Sequence, residues 1–476
     1  MQHFIANKLK LLIIVVIFLH YFVICCFSSD TSDMDSLFSN ADFFVKIDDL
    51  KDDSVNTELN KRTVNFSGSF YFQSSYTTKR DDYPLKTIFI DYVNLVPEDD
   101  RADVQSDIDK IIDSFHIGED DWFTSKMTAN LLFDIRLVDN VRGLINLDAL
   151  YYPYGYSEYH IGRDENQNSL EIEEEKNTDY VLKEIFLDAN INKKIFFRAG
   201  KQVLQWGRGY LFNPTDLINI EKKLFLDMDA NREGVYGIKA HIPFGVKYNV
   251  YGFLDMGSEE NTDSFAYAGK FEFLLDKTEM SVSAWKKSGV SPVYGFDFST
   301  RSGNVDIIGE LSLSYKEMVL RPNANFTISE TEDTWIPRGS LGLMKSFDFN
   351  DVNDRITLGA ELYYNHAGYS ENIFADPLKV ANLLARQMYT IYNHSVYYAM
   401  LFTEYKKFFI SDLSLSFSGL GNFTDNSGIA MAQLKYNPLY DFTVECSLSS
   451  TLGDDSTEFT FTGDETSIEF VAKINF

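Results

Sequence analysis

The sequence predicts an all-β protein: a transmembrane antiparallel β-barrel of about 18 strands, with 16 to 18 as the range. Three observations lead to this fold. Segments of strand length alternate apolar and polar side chains, the links between them are alternately short and long, and no apolar run beyond the N-terminal leader is long enough for a membrane helix. Strands that cross a membrane must close into a barrel to satisfy their backbone hydrogen bonds.

Residues 1–29 form the leader of the chain. Two lysines precede an apolar run at 11–24, and two serines follow it. This order is typical of a secretory signal peptide. The length of the run leaves an uncleaved anchor helix as an alternative, and Cys25 or Cys26 leaves lipid attachment as another.

The rest of the chain divides into a lead-in and the predicted barrel. Residues 30–63 are polar and acidic and are predicted to be a periplasmic N-terminal segment, and residues 64–476 are the outer-membrane barrel. Within the barrel, Leu358 and Leu362 alternate with polar side chains such as Glu361. Two such faces must meet different media, which are lipid and water in a barrel. In a soluble sandwich, the apolar face would instead meet a second sheet.

Loop lengths distinguish these two folds. Short links are predicted near 139–140, 192–194, 243–245, 276–278, 302–304, 406–408 and 437–439, with a longer exception at 347–354. The links between them are mostly longer and include 78–121, 153–180, 205–231, 257–264, 316–334, 366–394 and 452–465. Outer-membrane barrels alternate short periplasmic turns with long extracellular loops, whereas a sandwich has no reason to do so. Both termini are therefore predicted to be periplasmic.

The last predicted strand ends on an aromatic residue. Ile468, Phe470, Ala472 and Ile474 alternate with polar or small neighbours, and Phe476 is the final residue. Such an end resembles the signal that barrel-assembly machinery reads in bacterial outer-membrane proteins. We therefore expect that machinery and outer-membrane lipid as partners.

The long link at 205–231 contains the most distinctive motif of the chain. Its elements are Trp206-Gly207, Asn213-Pro214-x-Asp216 and, where the next strand begins, Arg232-x-Gly234. Long loops in a compact chain are usually functional, so we expect this one to lie over the barrel mouth or to fold into it.

Each motif residue has an expected physical role. Gly207 permits left-handed backbone, Pro214 fixes the backbone, and Asp216 can cap the following turn. Arg232 is expected to pair with Asp216 or Glu233. Two interpretations of the loop remain open: a constriction of the pore that contacts solute, or a structural anchor.

Together with the strand end Arg198-Ala199-Gly200-Lys201-Gln202, this motif resembles a family of bacterial outer-membrane porins related to alginate-export-type porins. The resemblance covers about fifty residues. It implies an integral outer-membrane barrel with porin-like function, and it identifies no solute.

Composition excludes several other classes of protein. The formal net charge of −28 argues against nucleic acid as a partner. Beyond the leader, Cys446 is the only cysteine in the sequence, so no disulfide, zinc cluster or redox pair is expected. The sequence contains neither an HExxH nor a GxSxG motif. We therefore predict no cofactor, no metal and no enzymatic activity.

Function is expected on the polar face of the strands, inside the barrel. The predicted pore-lining residues are Glu184, Asp188, Arg198, Gln202, Lys239, Asp297, Glu310, Glu361 and Glu445. Acids outnumber bases in this set, which would favour cations or polar neutral solutes. Alternatively, these charges pair across strands and only fill the interior.

The sequence thus predicts a porin-like channel for passive diffusion of small hydrophilic solutes. The alternative is a non-conducting barrel that displays its loops, such as an adhesin or surface antigen. Two loop segments, 99–115 and 378–389, have helical spacing and could fold inward or pack outside as a lid. Acidic loop clusters, of which 171–175 is the clearest, are expected to be solvated surface.

Overall fold

The computed structural model describes residues 63–80, 121–138, 140–154, 159–163, 170–174, 177–204, 206–216, 223, 225–226, 232–257, 265–288, 291–316, 321–322, 328–329, 334–350, 352–376, 379–380, 392 and 394–476. The predicted signal peptide, the lead-in up to residue 62, the predicted helix at 99–115 and the side chains of the acidic cluster at 171–175 lie outside the described residues.

The described residues contain the following strands: β1 (Thr63–Lys79), β2 (Asp121–Val138), β3 (Val141–Tyr154), β4 (Tyr159–Arg163), β5 (Leu170–Glu174), β6 (Thr178–Ile191), β7 (Ile195–Gln202), β8 (Val235–Phe244), β9 (Tyr248–Asp255), β10 (Ala266–Leu275), β11 (Thr278–Lys287), β12 (Val293–Ser302), β13 (Val305–Tyr315), β14 (Arg321–Pro322), β15 (Ile328–Ser329), β16 (Trp335–Phe349), β17 (Val352–Asn365), β18 (Tyr397–Tyr405), β19 (Leu413–Asn422), β20 (Ser427–Leu439), β21 (Phe442–Leu452) and β22 (Asp464–Asn475).

Eighteen of these strands form one closed antiparallel sheet. Each strand pairs with the next in chain order, and β1 pairs with both β2 and β22, so the sheet has no free edge. The predicted fold class, an antiparallel barrel of about 18 strands, is therefore confirmed. The other four strands form two small hairpins, β4–β5 and β14–β15, within long links.

The links differ at the two ends of the barrel. At one end, which we call the turn end, seven links have two or three residues and an eighth, 406–412, has seven. The opposite end, the loop end, has nine links that include 80–120, 203–234 and 366–396. The predicted exception at 347–354 is wrong, because Phe349 pairs with Val352 and leaves a two-residue turn. The longer link instead follows β18, where a short one was expected.

The two faces of the sheet differ in polarity. On β17, Leu358 and Leu362 are exposed on one face, whereas Thr357 and Glu361 are buried on the other. Large apolar side chains exposed on the same outward face of other strands include Leu254, Phe271, Val282, Phe296, Leu311, Leu341, Leu401, Phe417 and Leu448. An outward apolar band of this kind is what a barrel presents to lipid.

The barrel closes through the last residue of the sequence. The backbone N–H and carbonyl of Phe476 both bond to Gly68, at 3.0 and 2.9 Å. Its ring lies 5.5 Å from that of Phe66 and 5.2 Å from that of Phe70, measured between centroids. The terminal aromatic residue thus extends the seam between β1 and β22.

Helical structure is minor in the described residues. A 3-10 helix spans Ile373–Ala375, and of the helix predicted at 378–389, Lys379 and Val380 are described and are helical. No helix in the described part of the chain is both long and apolar enough to cross a membrane.

Candidate functional site: the barrel interior

The link after β7 runs into the barrel. We call residues 203–216, of which all but 205 are described, the inner loop. It contacts the polar face of the sheet from β8 to β18, and most of its described side chains are buried. Because that face is the inner one, the loop lies inside the barrel, which was one of the two predicted positions.

Trp206 holds the beginning of the inner loop. Its indole packs with Leu204 against Val235, Phe253 and Ala268 on the inner face of β8 to β10, and Tyr251 and Trp285 border this cluster. Burial of an aromatic side chain of this size fixes where the loop leaves the wall. This contact explains the Trp-Gly step of the motif.

Glu310 on β13 binds the backbone of the inner loop. Its carboxylate accepts hydrogen bonds from the N–H groups of Arg208, Gly209 (2.7 Å) and Thr215 (3.2 Å), and from the Thr215 hydroxyl (2.8 Å). Gly207 has φ +100°, and a Cβ there would lie 2.8 Å from the same carboxylate. The glycine is therefore required both by its left-handed backbone and by close approach to Glu310.

Glu361 on β17 binds the next residues of the loop. Its Oε2 accepts hydrogen bonds from the N–H groups of Leu211 (2.7 Å) and Phe212 (3.2 Å). Between these two acids, the Ser340 hydroxyl on β16 donates to the Phe212 carbonyl at 3.2 Å. Three neighbouring strands thus hold the loop through its main chain.

Arg208 adds an ion-pair network on the same wall. Its guanidinium bonds to Asp297 and Glu279, each at 2.7 Å, and lies 3.4 Å from Glu272. Lys270 also approaches Asp297, at 3.4 Å. Asp297 is therefore neutralised by two cations.

The Asn-Pro-x-Asp motif forms a turn at the end of the inner loop. The Asp216 N–H donates to the Asn213 carbonyl at 3.1 Å, and Pro214 is buried between them. The Asp216 carboxylate pairs with Arg232 at 2.8 Å, the first of the two predicted pairings. The prediction that Asp216 caps the following turn concerns residues 217–222, which lie outside the described residues.

Gly234 brings the chain back onto the wall. A Cβ at this position would lie 2.6 to 2.9 Å from backbone atoms of Gln202, so the motif requires glycine here for close approach. Gln202 itself is fully buried, and its amide donates to the Gly237 carbonyl at 3.2 Å.

Apolar side chains pack the inner loop against β17 and β18. Leu211 and Phe212 pack with Tyr363, Tyr398 and Met400, and the rings of Phe212 and Tyr363 stack with centroids 4.9 Å apart. This cluster lies beside the Glu361 carboxylate and excludes water from it.

Another buried acid, Glu458, joins the loops at the loop end. Glu458, in the link between β21 and β22, accepts hydrogen bonds from the Tyr398 hydroxyl (2.8 Å) and the Asn422 amide (2.7 Å). The Tyr398 hydroxyl in turn accepts the N–H groups of His394 and Ser395. Burial raises the pKa of Glu458 to about 8, and it lowers the pKa of His394 to about 4.

On the opposite side of the interior, several charged side chains remain partly exposed. We call the inner face of β8–β13 and β16–β19 the covered arc, and that of β20–β22, β1–β3, β6 and β7 the open arc. Four charges form a ladder across β2, β3, β6 and β7: Arg142 bonds to Asp134 (2.8 Å) and lies 3.9 Å from Asp188, which bonds to Arg198 (2.6 Å). The Arg142 side chain is 40% exposed.

The predicted pore-lining residues therefore divide into two groups. Asp188, Arg198 and Glu445 lie on the open arc and are partly exposed, and Glu445 pairs with Lys435 at 2.8 Å. Glu184 accepts the Val203 N–H at 3.0 Å, and half-buried Lys239 lies beside Arg198 in register.

The second group lies on the inner face but is buried. Asp297, Glu310, Glu361 and Gln202 are at most 5% exposed, because the inner loop and its return cover them. Three acids of the predicted acidic wall, Asp297, Glu310 and Glu361, thus bind the inner loop.

Sequence reasoning missed several residues of this site. Arg208, Thr215, Tyr398 and Glu458 were not selected as site residues, although Arg208 stands between two glycines of the motif. The available signal was the loop itself, since a buried loop must find partners for its backbone N–H groups. In the described part of the chain, no group of three or more His, Cys, Asp or Glu side chains could hold a metal ion.

Comparison with known proteins supports the fold. No family model matches the sequence, and no curated protein matches it. Solved structures do match: a BenF-like porin from Pseudomonas fluorescens Pf-5 has 8% identity and a TM-score of 0.52, covering 87% of this chain and 98% of that one.

Two further structures are similar to the same extent. Pseudomonas aeruginosa OccK9 (OpdG) has 8% identity, a TM-score of 0.51 and coverage of 87% and 98%. Acinetobacter baumannii OccAB1 has 10% identity, a TM-score of 0.50 and coverage of 86% and 96%. The fold of this chain is thus similar to that of the BenF-like porin and of these two structures.

Proposed function

We propose that this chain is an outer-membrane channel for passive diffusion of small hydrophilic solutes. The observation that carries the proposal is the unequal filling of a closed 18-stranded barrel. The inner loop occupies one side, while ion pairs such as Arg142–Asp134 and Lys435–Glu445 remain partly exposed on the other. A water-filled path bordered by polar side chains is what a diffusion channel requires.

The inner loop narrows this path. Its anchoring contacts with Glu310 and Glu361 support the structural interpretation of the motif, and its position across the lumen supports the constriction. The two interpretations agree, because a loop can restrict a pore only if it is held in place. Solutes would pass between the inner loop and the open arc.

Orientation and partners follow from the same architecture. The loop end faces the exterior, and the turn end, where β1 begins and β22 ends, faces the periplasm, so both termini are proposed to be periplasmic; the support is the alternation of link lengths. The outward apolar band contacts outer-membrane lipid. Phe476, in the seam of the barrel, is the residue through which assembly machinery would recognise the chain.

A closer relationship to alginate-export-type porins is also proposed. It rests on Trp206-Gly207, Asn213-Pro214-x-Asp216 and Arg232-x-Gly234. Each of these elements has an anchoring role in the inner loop, so their spacing fits a shared way of fixing a loop inside a barrel.

Conductance decides between a channel and a display barrel. The chain, refolded in detergent and checked for heat-modifiable mobility on a gel, is inserted into planar lipid bilayers. Stepwise openings are expected, with heat-denatured protein as the control. A folded barrel that inserts without conducting would overturn the proposal and leave the display role. Liposome swelling with sugars, amino acids and organic anions would then rank the solutes.

A further inference from the structure

We propose that Glu310 and Glu361 are positioning residues that set the width of the channel by holding the inner loop against the covered arc. This inference rests on the proposed channel function. Neither carboxylate is exposed to the lumen, so neither is assigned a contact with solute.

The two carboxylates bind main chain rather than side chains. Together they accept the N–H groups of Arg208, Gly209, Leu211, Phe212 and Thr215. Buried backbone N–H groups require partners, and these five, which belong to no strand, find them in two side chains of the wall. The loop therefore depends on these acids for the hydrogen bonds that a strand would obtain from its neighbours.

The burial of the two acids indicates that their role is to hold the inner loop. A buried carboxylate is costly unless several donors compensate it, and a wall that needed only to be filled could use apolar side chains. Glu310 has four donors, all from the inner loop. The loop approaches so closely that a Cβ on Gly209 would lie 2.7 Å from the Glu361 carboxylate.

Release of the loop would leave the barrel intact. Strand pairing of β13 with β12 and β16, and of β17 with β16 and β18, uses backbone groups only. Loss of either carboxylate therefore frees the loop without opening the sheet. The pore then becomes wider and admits larger solutes.

The test compares E310A, E361A and the double variant with E445A, because alanine, unlike glutamine, leaves no side-chain oxygen to accept the loop N–H groups. Glu445 is the matched control, because it is also an inner-face glutamate but pairs with Lys435 and Gln433 on the open arc. We expect the double variant to conduct at least about twofold more than the wild type and to admit larger sugars in liposome swelling. Heat-modifiable mobility should be retained, and E445A should keep the wild-type pore size.

A second readout reports on the loop without requiring conduction. A cysteine introduced as L211C, in a background in which Cys446 is replaced by serine, is probed with a small charged methanethiosulfonate reagent. Leu211 is 5% exposed, so labelling should be slow, and we expect it to be at least tenfold faster when E361A is added. E445A should leave the labelling rate unchanged.

The outcomes separate the two proposals. Wild-type conductance together with slow labelling in the double variant would overturn the positioning role. If the wild type does not conduct but E361A accelerates labelling, the positioning role of the two acids stands and the channel function fails. If the double variant does not fold, G209A tests the same contact from the loop side, because its Cβ would lie 1.9 Å from the Phe212 carbonyl oxygen. Slow labelling in L211C/G209A would then count against the proposal.

Discussion

The covered and open arcs of the barrel interior use the same residue types for different purposes. Glu361 on the covered arc is fully buried and binds loop backbone, whereas Glu445 on the open arc is partly exposed and pairs with Lys435. Both side chains point inward from strands that alternate apolar and polar residues. The role of an inward carboxylate is therefore decided by what lies in front of it and not by its place in the strand.

Replacement of Trp206 by alanine should have the largest effect on this contrast. Loss of a buried aromatic ring costs about 3 kcal/mol or more, and here that cost falls on the attachment of the inner loop. Amide hydrogen exchange of residues 207–212 should accelerate about 100-fold. Phe196, an exposed ring on the open arc, provides the control, since F196A should leave this exchange unchanged. Equal effects of the two variants would contradict the division into arcs.

Replacement of Glu361 by alanine should have the next largest effect. It leaves two buried N–H groups without an acceptor, at about 2 kcal/mol, so the Leu211 and Phe212 amides should exchange about 30-fold faster. E445A removes a partly exposed ion pair and should change barrel stability by less than about 1 kcal/mol. Comparable losses in both variants would show that the open arc is packed as tightly as the covered one.

Glu458 should make the covered arc sensitive to pH. Burial raises its pKa to about 8, so its contribution to stability is present below the pKa of the unfolded chain, near 4.5, and is lost as pH rises through 8. The stability advantage of E458Q over the wild type should therefore grow by about 1 kcal/mol or more between pH 6 and pH 9. Urea unfolding in detergent at the two pH values measures this. A wild type that is as stable at pH 9 as at pH 6 would contradict the assignment.

Replacement of Arg142 on the open arc should have the smallest effect on stability but a measurable effect on ion selectivity. Arg142 is 40% exposed, and R142Q should shift ion selectivity towards cations with little loss of stability. Lys270 is 8% exposed on the covered arc, so K270Q should move the reversal potential in a salt gradient less. The reverse order would place the conducting path on the wrong side of the inner loop.

Local patterns predicted the strands and the place of the loop. The alternation of apolar and polar residues, such as Leu358 and Leu362 against Glu361, can be recognised from a few consecutive residues. The alternation of short and long links can be recognised from the lengths of the segments between strands. Both are visible in one sequence, and the 18-stranded barrel followed from them. The glycines and Trp206 also marked the inner loop before any contact was known.

The function of individual inward acids could not be predicted in the same way. Glu361 meets Leu211 across 150 residues of chain, and Glu310 meets Gly209 across 101. Which inward positions the loop covers depends on the register of the whole sheet and on the exit angle set by Trp206. No local pattern contains that information, so Glu310 and Glu361 could not be distinguished from Glu445.

The binding of the inner loop through its main chain has a consequence for redesign of the protein. Glu310 and Glu361 bind N–H groups, which every amino acid except proline provides. The hold on the loop is thus largely indifferent to side-chain chemistry at a residue such as Arg208, whose guanidinium makes its own separate bonds. New side chains could be installed there to tailor a nanopore, with the backbone still held by the two carboxylates.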